Sequence, residues 1–323
     1  MSASIAADHL RKRFGHILAV DDISFTVNSG EVLGFLGPNG AGKTTTMRIL
    51  TGYLRPDEGS VTICGIDMSS EPVKAKSRIG FLPEGAPLYP EMTPAAFLHF
   101  TGSARGLPAT DLRRRMAEAA ELVHLEDVWN QPIETLSKGY KRRLGLAQSI
   151  LHDPEVLILD EPTDGLDPNQ KSEVRTLVRQ MAESKAIIIS THSLEEVHAV
   201  CSRAIIIAHG RIVADGTPSE LEAMSAHHNA VSILVAPERA GDLAAKLEKI
   251  PSVSTVETVT ESGGRVLVSA IPEGGNPILH EVTELIREGK FEVDEFRQEA
   301  GRLDEVFRDL TMGGSTPAEG ARS

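Results

Sequence analysis

The chain has 323 residues, enough for one large domain and a smaller one. Hydrophobic residues make up 41% and charged residues 24%, which is typical of a soluble globular protein. The formal net charge of −13 argues against general nucleic-acid binding, which rests on Lys and Arg, so no nucleic-acid partner is expected. Two cysteines are too few for a disulfide framework and indicate a reducing compartment. We expect no signal peptide and no membrane-spanning segment, since no apolar run is long enough.

Residues 4–35 are predicted to form strands. Two of these strands, residues 17–20 and 23–27, are expected to be joined by a turn at Asp21-Asp22. Phe14 lies between two predicted strands. An aromatic ring at that place either stacks on an adenine base or packs in the core, and the residues alone do not decide between these alternatives.

A phosphate-binding loop follows the third predicted strand. It has the pattern G-x-x-x-x-G-K-[ST], with a buried strand before it and the start of a helix after it. Its residues are Gly37, Pro38, Asn39, Gly40, Ala41, Gly42, Lys43, Thr44 and Thr45. The glycines let the main chain approach a polyphosphate, and the helix N-terminus favours an anion. Lys43 would contact the β- and γ-phosphates, and the Thr44 hydroxyl is a ligand suited to Mg²⁺.

The middle of the chain changes character at residue 95. Apolar residues recur at helical spacing over residues 95–152, which predicts a helical insertion. Near its end, Ser137, Lys138 and Gly139 precede a helix-like stretch that runs to residue 151. By itself, a Ser at this position is typical of a plain helix N-cap.

Residues 156–161 consist of four apolar residues closed by Asp160 and Glu161. This pattern is typical of a buried parallel strand that ends at the edge where α/β proteins place their sites. Asp160 is expected to hold Mg²⁺, and Glu161 is expected to act as a general base on water. His192 ends the next predicted strand and is a candidate for sensing the γ-phosphate.

A second domain is predicted after a polar linker. Its elements follow the order βαββαβ over residues 231–311, which indicates a small ferredoxin-like sandwich. His227 and His228 lie in the linker and are expected to be exposed to solvent. Residues 312–323 are rich in Gly, Ser and Pro and are expected to be disordered.

With these motifs in order, residues 4–222 resemble the ATP-binding subunit of an ABC transporter. The Walker A loop is residues 37–45, and the Walker B strand ends at Asp160. Leu136-Ser137-Lys138-Gly139-Tyr140 resembles the signature LSGGQ, Asp167 lies in a D-loop, and His192 matches the switch histidine. The LSKGY variant, and Glu84 where the sensing loop usually has Gln, resemble the ABC-2-type exporter group, which includes drug-resistance and gliding-motility subunits.

The resemblance implies a phosphate-loop α/β ATPase domain with a helical subdomain, bound to ATP and Mg²⁺. It implies Phe14 at the adenine, Glu84 near the metal, and Ser137, Lys138 and Gly139 on the partner's nucleotide in a head-to-tail dimer. The second ATP-binding subunit is expected to be another copy of the chain. A separate membrane permease of ABC-2 type would place the protein on the cytoplasmic face of the cell membrane.

Two other classes of function are consistent with some of these motifs. A soluble ABC ATPase of the DNA-repair or ribosome-associated type usually carries two cassettes or a long coiled-coil insertion, whereas this chain has one cassette. A nucleotide-gated module that scarcely hydrolyses ATP is disfavoured because Glu161 and His192 are both present. ATP hydrolysis coupled to export is therefore the leading prediction.

Overall fold

The structure of the chain is a computed structural model that describes residues 4–85, 87–261 and 263–312. The chain divides into two compact units, Met1–Asp215 and Gly216–Ser323. Residues 313–323, where disorder is predicted, lie outside the described residues.

A six-stranded sheet forms the centre of the first unit. Its strands are β3 (Val32–Leu36), β6 (Ile79–Leu82), β7 (Val156–Asp160), β8 (Ala186–Thr191), β9 (Arg203–Ala208) and β10 (Arg211–Gly216). They lie in the order β10-β9-β3-β8-β7-β6, and β9, β3, β8, β7 and β6 run parallel. Every residue of β3, β7 and β8 is buried, because a parallel sheet is covered on both faces. Their carboxyl ends therefore meet at one edge, where Leu36 pairs with Thr191 and Asp160 with Ser190.

An antiparallel sheet forms a second layer. Its strands are β1 (Ile5–Phe14), β2 (Ile17–Val27), β4 (Glu58–Ile63) and β5 (Ile66–Asp67), in the order β2-β1-β4-β5. The turn predicted at Asp21-Asp22 is wrong, since residues 17–27 form one strand. Asp22 adopts a left-handed conformation (φ 62°) at an irregularity in the pairing with β1, so the strand bends without ending. Phe25 and Phe35 pack between the two sheets with ring centroids 5.5 Å apart.

Seven helices are described in the first unit. They are α1 (Lys43–Leu50), α2 (Pro72–Ser77), α3 (Pro94–Ala104), α4 (Ala109–Leu122), α5 (Lys138–Ile150), α6 (Pro168–Ala182) and α7 (Leu194–Val200). Helices α3, α4 and α5 occupy the predicted helical region, and short 3₁₀ turns lie between α4 and α5. The side chain of Ser137 accepts a hydrogen bond from the Tyr140 amide at 3.3 Å, so Ser137 is the N-cap of α5.

The second unit contains a four-stranded antiparallel sheet with helices on one face. Its elements are α8 (Pro218–Glu222), β11 (Val231–Val235), α9 (Pro237–Leu247), β12 (Val253–Thr260), β13 (Val266–Pro272), α10 (Leu279–Glu288), β14 (Glu295–Gln298) and α11 (Leu303–Met312). The strands lie in the order β12-β13-β11-β14. Apolar residues of the sheet, such as Val268, pack with Leu243 of α9 and Val282 of α10 in one core. Helix α8 packs on α11, so the predicted first-domain limit at residue 222 falls inside this unit.

The linker histidines differ from each other. His228 is partly exposed, but His227 is only 5% exposed, so the prediction that both lie in solvent is wrong for His227. Its Nδ1 lies 2.9 Å from Glu305 and its Nε2 lies 3.1 Å from Glu257. Glu305 belongs to α11, which returns to this position from almost 80 residues further along the chain. Burial opposes protonation of the ring, but the hydrogen bonds to Glu305 and Glu257 outweigh it and raise the pKa of His227.

Candidate active site

The phosphate-binding loop connects β3 to α1. Gly42 has φ 108°, and a Cβ at this position would lie 2.4 Å from the Ala19 carbonyl oxygen. A Cβ at Gly37 would lie 2.5 Å from the Ile207 carbonyl oxygen. Both positions therefore exclude a side chain, Gly42 because of its conformation as well as its neighbour. The glycines that the motif predicts are required by the packing of this loop against the adjacent strands.

Lys43 is the first residue of α1 and is buried. Its Nζ donates to the Gly37 carbonyl at 2.6 Å and to the Pro38 carbonyl at 3.3 Å, so the side chain folds back along the loop. Burial lowers its pKa, and the nearby carboxylates of Glu161, Asp160 and Glu84 oppose that shift. The result is a desolvated cation held by loop carbonyls at the start of α1, where the helix N-terminus also favours phosphate oxygens.

A cavity of about 460 Å³ lies over this loop. The residues that line it are Ala19, Pro38, Asn39, Gly40, Gly42, Lys43, Thr44, Thr45, Glu84, Glu161, Asp164 and His192. They come from five segments of the chain. Four of these follow strands of the parallel sheet, which brings them to one edge, and the fifth is Ala19 of β2. The cavity thus combines the phosphate-loop residues with both predicted catalytic residues and with Glu84.

Glu161 and His192 contact each other at this edge. The Nδ1 atom of His192 lies 2.9 Å from Oε2 of Glu161. The Glu161 amide donates to both the carbonyl and the hydroxyl of Ser190, each at 3.1 Å, and its φ is 51°. A left-handed conformation is uncommon for a residue with a side chain, and such strain concentrates at functional sites. The Glu161 carboxylate is therefore held firmly at the end of β7.

Several predicted site residues are placed elsewhere. Asp160 is almost fully buried and its carboxylate accepts a hydrogen bond from the Ser190 hydroxyl. Asp160 lines a neighbouring pocket together with Thr44 and Glu84, which line the main cavity as well. Asp167 is the N-cap of α6, in a capping box with Gln170.

Phe14, Ser137, Lys138 and Gly139 do not line the cavity among the described residues. Phe14 is 48% exposed, so the alternative of a core aromatic is wrong. The Lys138 ammonium lies 3.2 Å from the Asp164 carboxylate, and both are exposed. Ser137 and Lys138 are thus exposed beside the site, whereas Gly139 is buried.

Sequence reasoning missed three residues. Ala19 and Asp164 line the cavity, and Arg142 lies behind it. Asp164 lies in the turn after β7, and its closeness to Glu161 in the sequence could have indicated that it lines the same site. Ala19 could not be recognised from its residue type, because its main-chain carbonyl, and not its side chain, lies close to Gly42 of the loop.

The residues fit a nucleotide better than a resident metal. In residues 4–85, 87–261 and 263–312, no group of three or more His, Cys, Asp or Glu side chains is arranged to hold a metal ion. Thr44 and Asp160 offer hard oxygen ligands, and Mg²⁺ typically binds through one or two carboxylates together with substrate phosphates. The same described residues contain no helix that is long and apolar enough to cross a membrane.

The parallel sheet and the loop after β3 define a phosphate-loop nucleotide-binding protein. The family model described as ABC transporter matches residues 20–164. The Nod factor export ATP-binding protein I of Ralstonia nicotianae is 40% identical over 218 residues, which are 67% of this chain and 68% of that protein. The chain therefore belongs to the ABC transporter family, as an ATP-binding subunit that hydrolyses ATP.

Two further comparisons describe how far the likeness extends. The daunorubicin resistance ATP-binding protein DrrA3 of Streptomyces coeruleorubidus is 35% identical over 309 residues, which are 95% of this chain and 96% of that protein. This alignment includes both units. A solved structure of the ATP-binding subunit of an ABC transporter has a TM-score of 0.64 and 27% identity, and it covers 69% of this chain and 93% of that chain.

Proposed function

We propose that two copies of this chain bind ATP between them and that hydrolysis drives export through a separate membrane permease. One observation supports the proposed dimer. The cavity holds Lys43, Thr44, Glu161 and His192 but not residues 137–139, of which Ser137 and Lys138 are exposed at the start of α5 and Gly139 is buried. In a head-to-tail pair, the N-terminus of the partner's α5 points at the γ-phosphate and supplies positive dipoles there.

Each site residue has a role in this proposal. The loop amides and Lys43 bind the phosphates, and Phe14 stacks on the adenine. Thr44, Asp160 and Glu84 are the residues that would hold Mg²⁺, which would supply positive charge to neutralise the phosphates. Asp167 follows the catalytic turn and would face the partner subunit.

Hydrolysis then needs an oriented water and an acceptor for its proton. Glu161 takes the proton as the water oxygen bonds to the γ-phosphorus and the bond to the β-phosphate oxygen breaks. His192 is hydrogen-bonded to Glu161 and stands at the same edge, so it can donate to a γ-phosphate oxygen. Hydrolysis removes the γ-phosphate that both subunits contact, and the dimer opens.

Export is supported by the relatives. The matched proteins are named for Nod factor export and for daunorubicin resistance, and the second matches nearly the whole chain. We propose that the partner is an integral permease of ABC-2 type and that this chain is peripheral on the cytoplasmic face of the membrane. We assign permease docking to the region of residues 85–94, directly after Glu84.

Ser137→Arg tests the dimer. The substitution puts bulk and charge where a partner's γ-phosphate would lie, without touching the chain's own loop. We expect the monomer to bind a fluorescent ATP analogue normally, while ATP-dependent dimerisation on gel filtration and hydrolysis are lost. Ser103→Arg, on an exposed position of α3, is the matched control and should behave as wild type. If Ser137→Arg abolishes nucleotide binding by the monomer, the head-to-tail arrangement is wrong.

Membrane association tests export separately. If a neighbouring gene encodes a membrane protein of about six predicted spans, the chain is expressed alone and together with that protein. We expect it in the membrane fraction, with increased ATPase activity, only in the second case. The same distribution and the same turnover in both cases would favour the soluble switch over the transporter.

A further inference from the structure

Arg142 is a buried arginine on the second turn of α5 and is 7% exposed. Its Nε donates to the Pro162 carbonyl at 3.1 Å, and its Nη1 donates to the Pro83 and Glu84 carbonyls, both at 2.8 Å. Its Nη2 donates to the carbonyls of Asp160 and Glu161. A guanidinium has five N–H donors, so all of them have main-chain acceptors here.

The five carbonyls belong to two segments that supply acidic side chains to the site. One is the end of β6 with Glu84, and the other is the end of β7 with Asp160 and Glu161. Arg142 therefore joins the main chain beneath both segments to the helix that begins at Ser137. A lysine cannot replace this arrangement, because its three donors lack the planar fork.

The charge on Arg142 has no directly bonded carboxylate in the hydrogen bonds described above. Burial lowers its pKa, while Asp160, Asp164, Glu161 and Glu84 oppose that shift, so the cation is balanced by the acidic groups of the site and by carbonyl dipoles. Burying a charge is costly unless it is fully hydrogen-bonded. Packing alone would be served as well by an apolar side chain of similar length.

We infer that Arg142 is a positioning residue for ATP hydrolysis, which fixes the main chain carrying Glu84 and Glu161 to the start of the signature helix. The inference rests on the proposed function, since it assumes that Glu161 and Glu84 act on ATP and its metal. Arg142 does not touch the nucleotide cavity. Its effect on turnover passes through the two segments that it holds.

The test compares Arg142→Lys, Arg142→Gln and Arg142→Met with wild type. None of the five hydrogen bonds goes to residues 37–45, so ATP affinity should be retained. Turnover per nucleotide-binding site should fall about 10- to 100-fold, as for other residues that orient a site from behind. The Mg²⁺ concentration for half-maximal activity should rise, which a smaller folded fraction would not cause. Arg142→Lys should not rescue activity, since the fork and not the charge is required.

Arg143→Gln is the matched control. Arg143 is the next residue on α5 and pairs with the exposed Glu173. We expect wild-type turnover and Mg²⁺ dependence in this variant. Wild-type turnover and Mg²⁺ dependence in Arg142→Gln, or full rescue by Arg142→Lys, would overturn the inference. Absence of ATP hydrolysis in the wild-type protein would instead contradict the proposed function, so the two failures are distinguishable.

Discussion

Glu161→Gln separates nucleotide binding from chemistry at this site. The amide has the shape of the carboxylate, and the main-chain contacts of residue 161 with Ser190 and Arg142 do not involve the side chain. A Gln can still hydrogen-bond to His192, whose Nδ1 lies 2.9 Å from the replaced oxygen. The fold and the ATP affinity should therefore be retained, while the proton acceptor is lost.

The expected loss follows from the role of a general base. Such a group typically contributes about 10²- to 10⁴-fold in rate, which is about 3–5 kcal/mol of activation free energy. Steady-state phosphate release measures the turnover, and gel filtration with ATP and Mg²⁺ measures dimerisation. We expect the slowed variant to remain as an ATP-bound dimer.

Glu183→Gln is the control, because Glu183 is exposed at the end of α6. It should hydrolyse ATP as the wild type does. If Glu161→Gln retains turnover within about tenfold of wild type, less than a general base supplies, another group accepts the proton and the assignment of Glu161 is refuted.

Three further predictions concern other parts of the chain. Glu84→Gln should stay active with a changed Mg²⁺ requirement, and Glu84→Ala should lose more permease-stimulated turnover than ATP binding. If the Mg²⁺ titrations of ATPase activity superimpose for wild type and both variants, Glu84 has no role in metal binding. Protonated His227 stabilises the fold, because its pKa is raised in the folded state. This stabilisation is complete below pH 6.5, the ordinary pKa of the side chain, and is lost as pH rises through the pKa of the folded protein. Urea unfolding should thus show His227→Gln to be most destabilised, relative to wild type, at acidic pH, and an equal difference at alkaline pH would contradict this. A chain ended at Gly216 should fold and bind ATP, and an insoluble product would mean that the second unit completes the core of the first.

The motifs that sequence reasoning found are those whose signal is local. A glycine loop between a strand and a helix, and an apolar run closed by Asp160 and Glu161, each carry their meaning within ten residues. The parallel sheet then brings these ends together, because parallel strands place their carboxyl ends at one edge. Glu84 and His192 reach the same cavity for that reason.

The residues that were missed depend on contacts between distant segments. Lys141, Arg142 and Arg143 look alike in sequence, and only the approach of residues 83–84 and 160–162 selects Arg142 for burial. His227 stands in a polar stretch, and its burial depends on Glu257 and on Glu305 of α11. No local sequence pattern predicts such contacts between residues far apart in the chain.

In the proposed dimer, each ATP site is shared between two copies of the chain. Lys43→Ala removes the phosphate-binding cation, and Ser137→Arg blocks the partner-facing surface, so each variant alone should be inactive. In a mixed dimer, the loop of the Ser137→Arg chain meets the intact signature of the Lys43→Ala chain and restores one site.

Phosphate release from an equimolar mixture of the two variants measures this directly. Neither variant alone is expected to form ATP-bound homodimers, so activity in the mixture comes from mixed dimers with one intact site of two. We therefore expect turnover that neither variant shows alone, up to about half of the wild-type value. No recovery of activity at any mixing ratio, with both variants folded and the Ser137→Arg chain still binding ATP, would contradict the shared site.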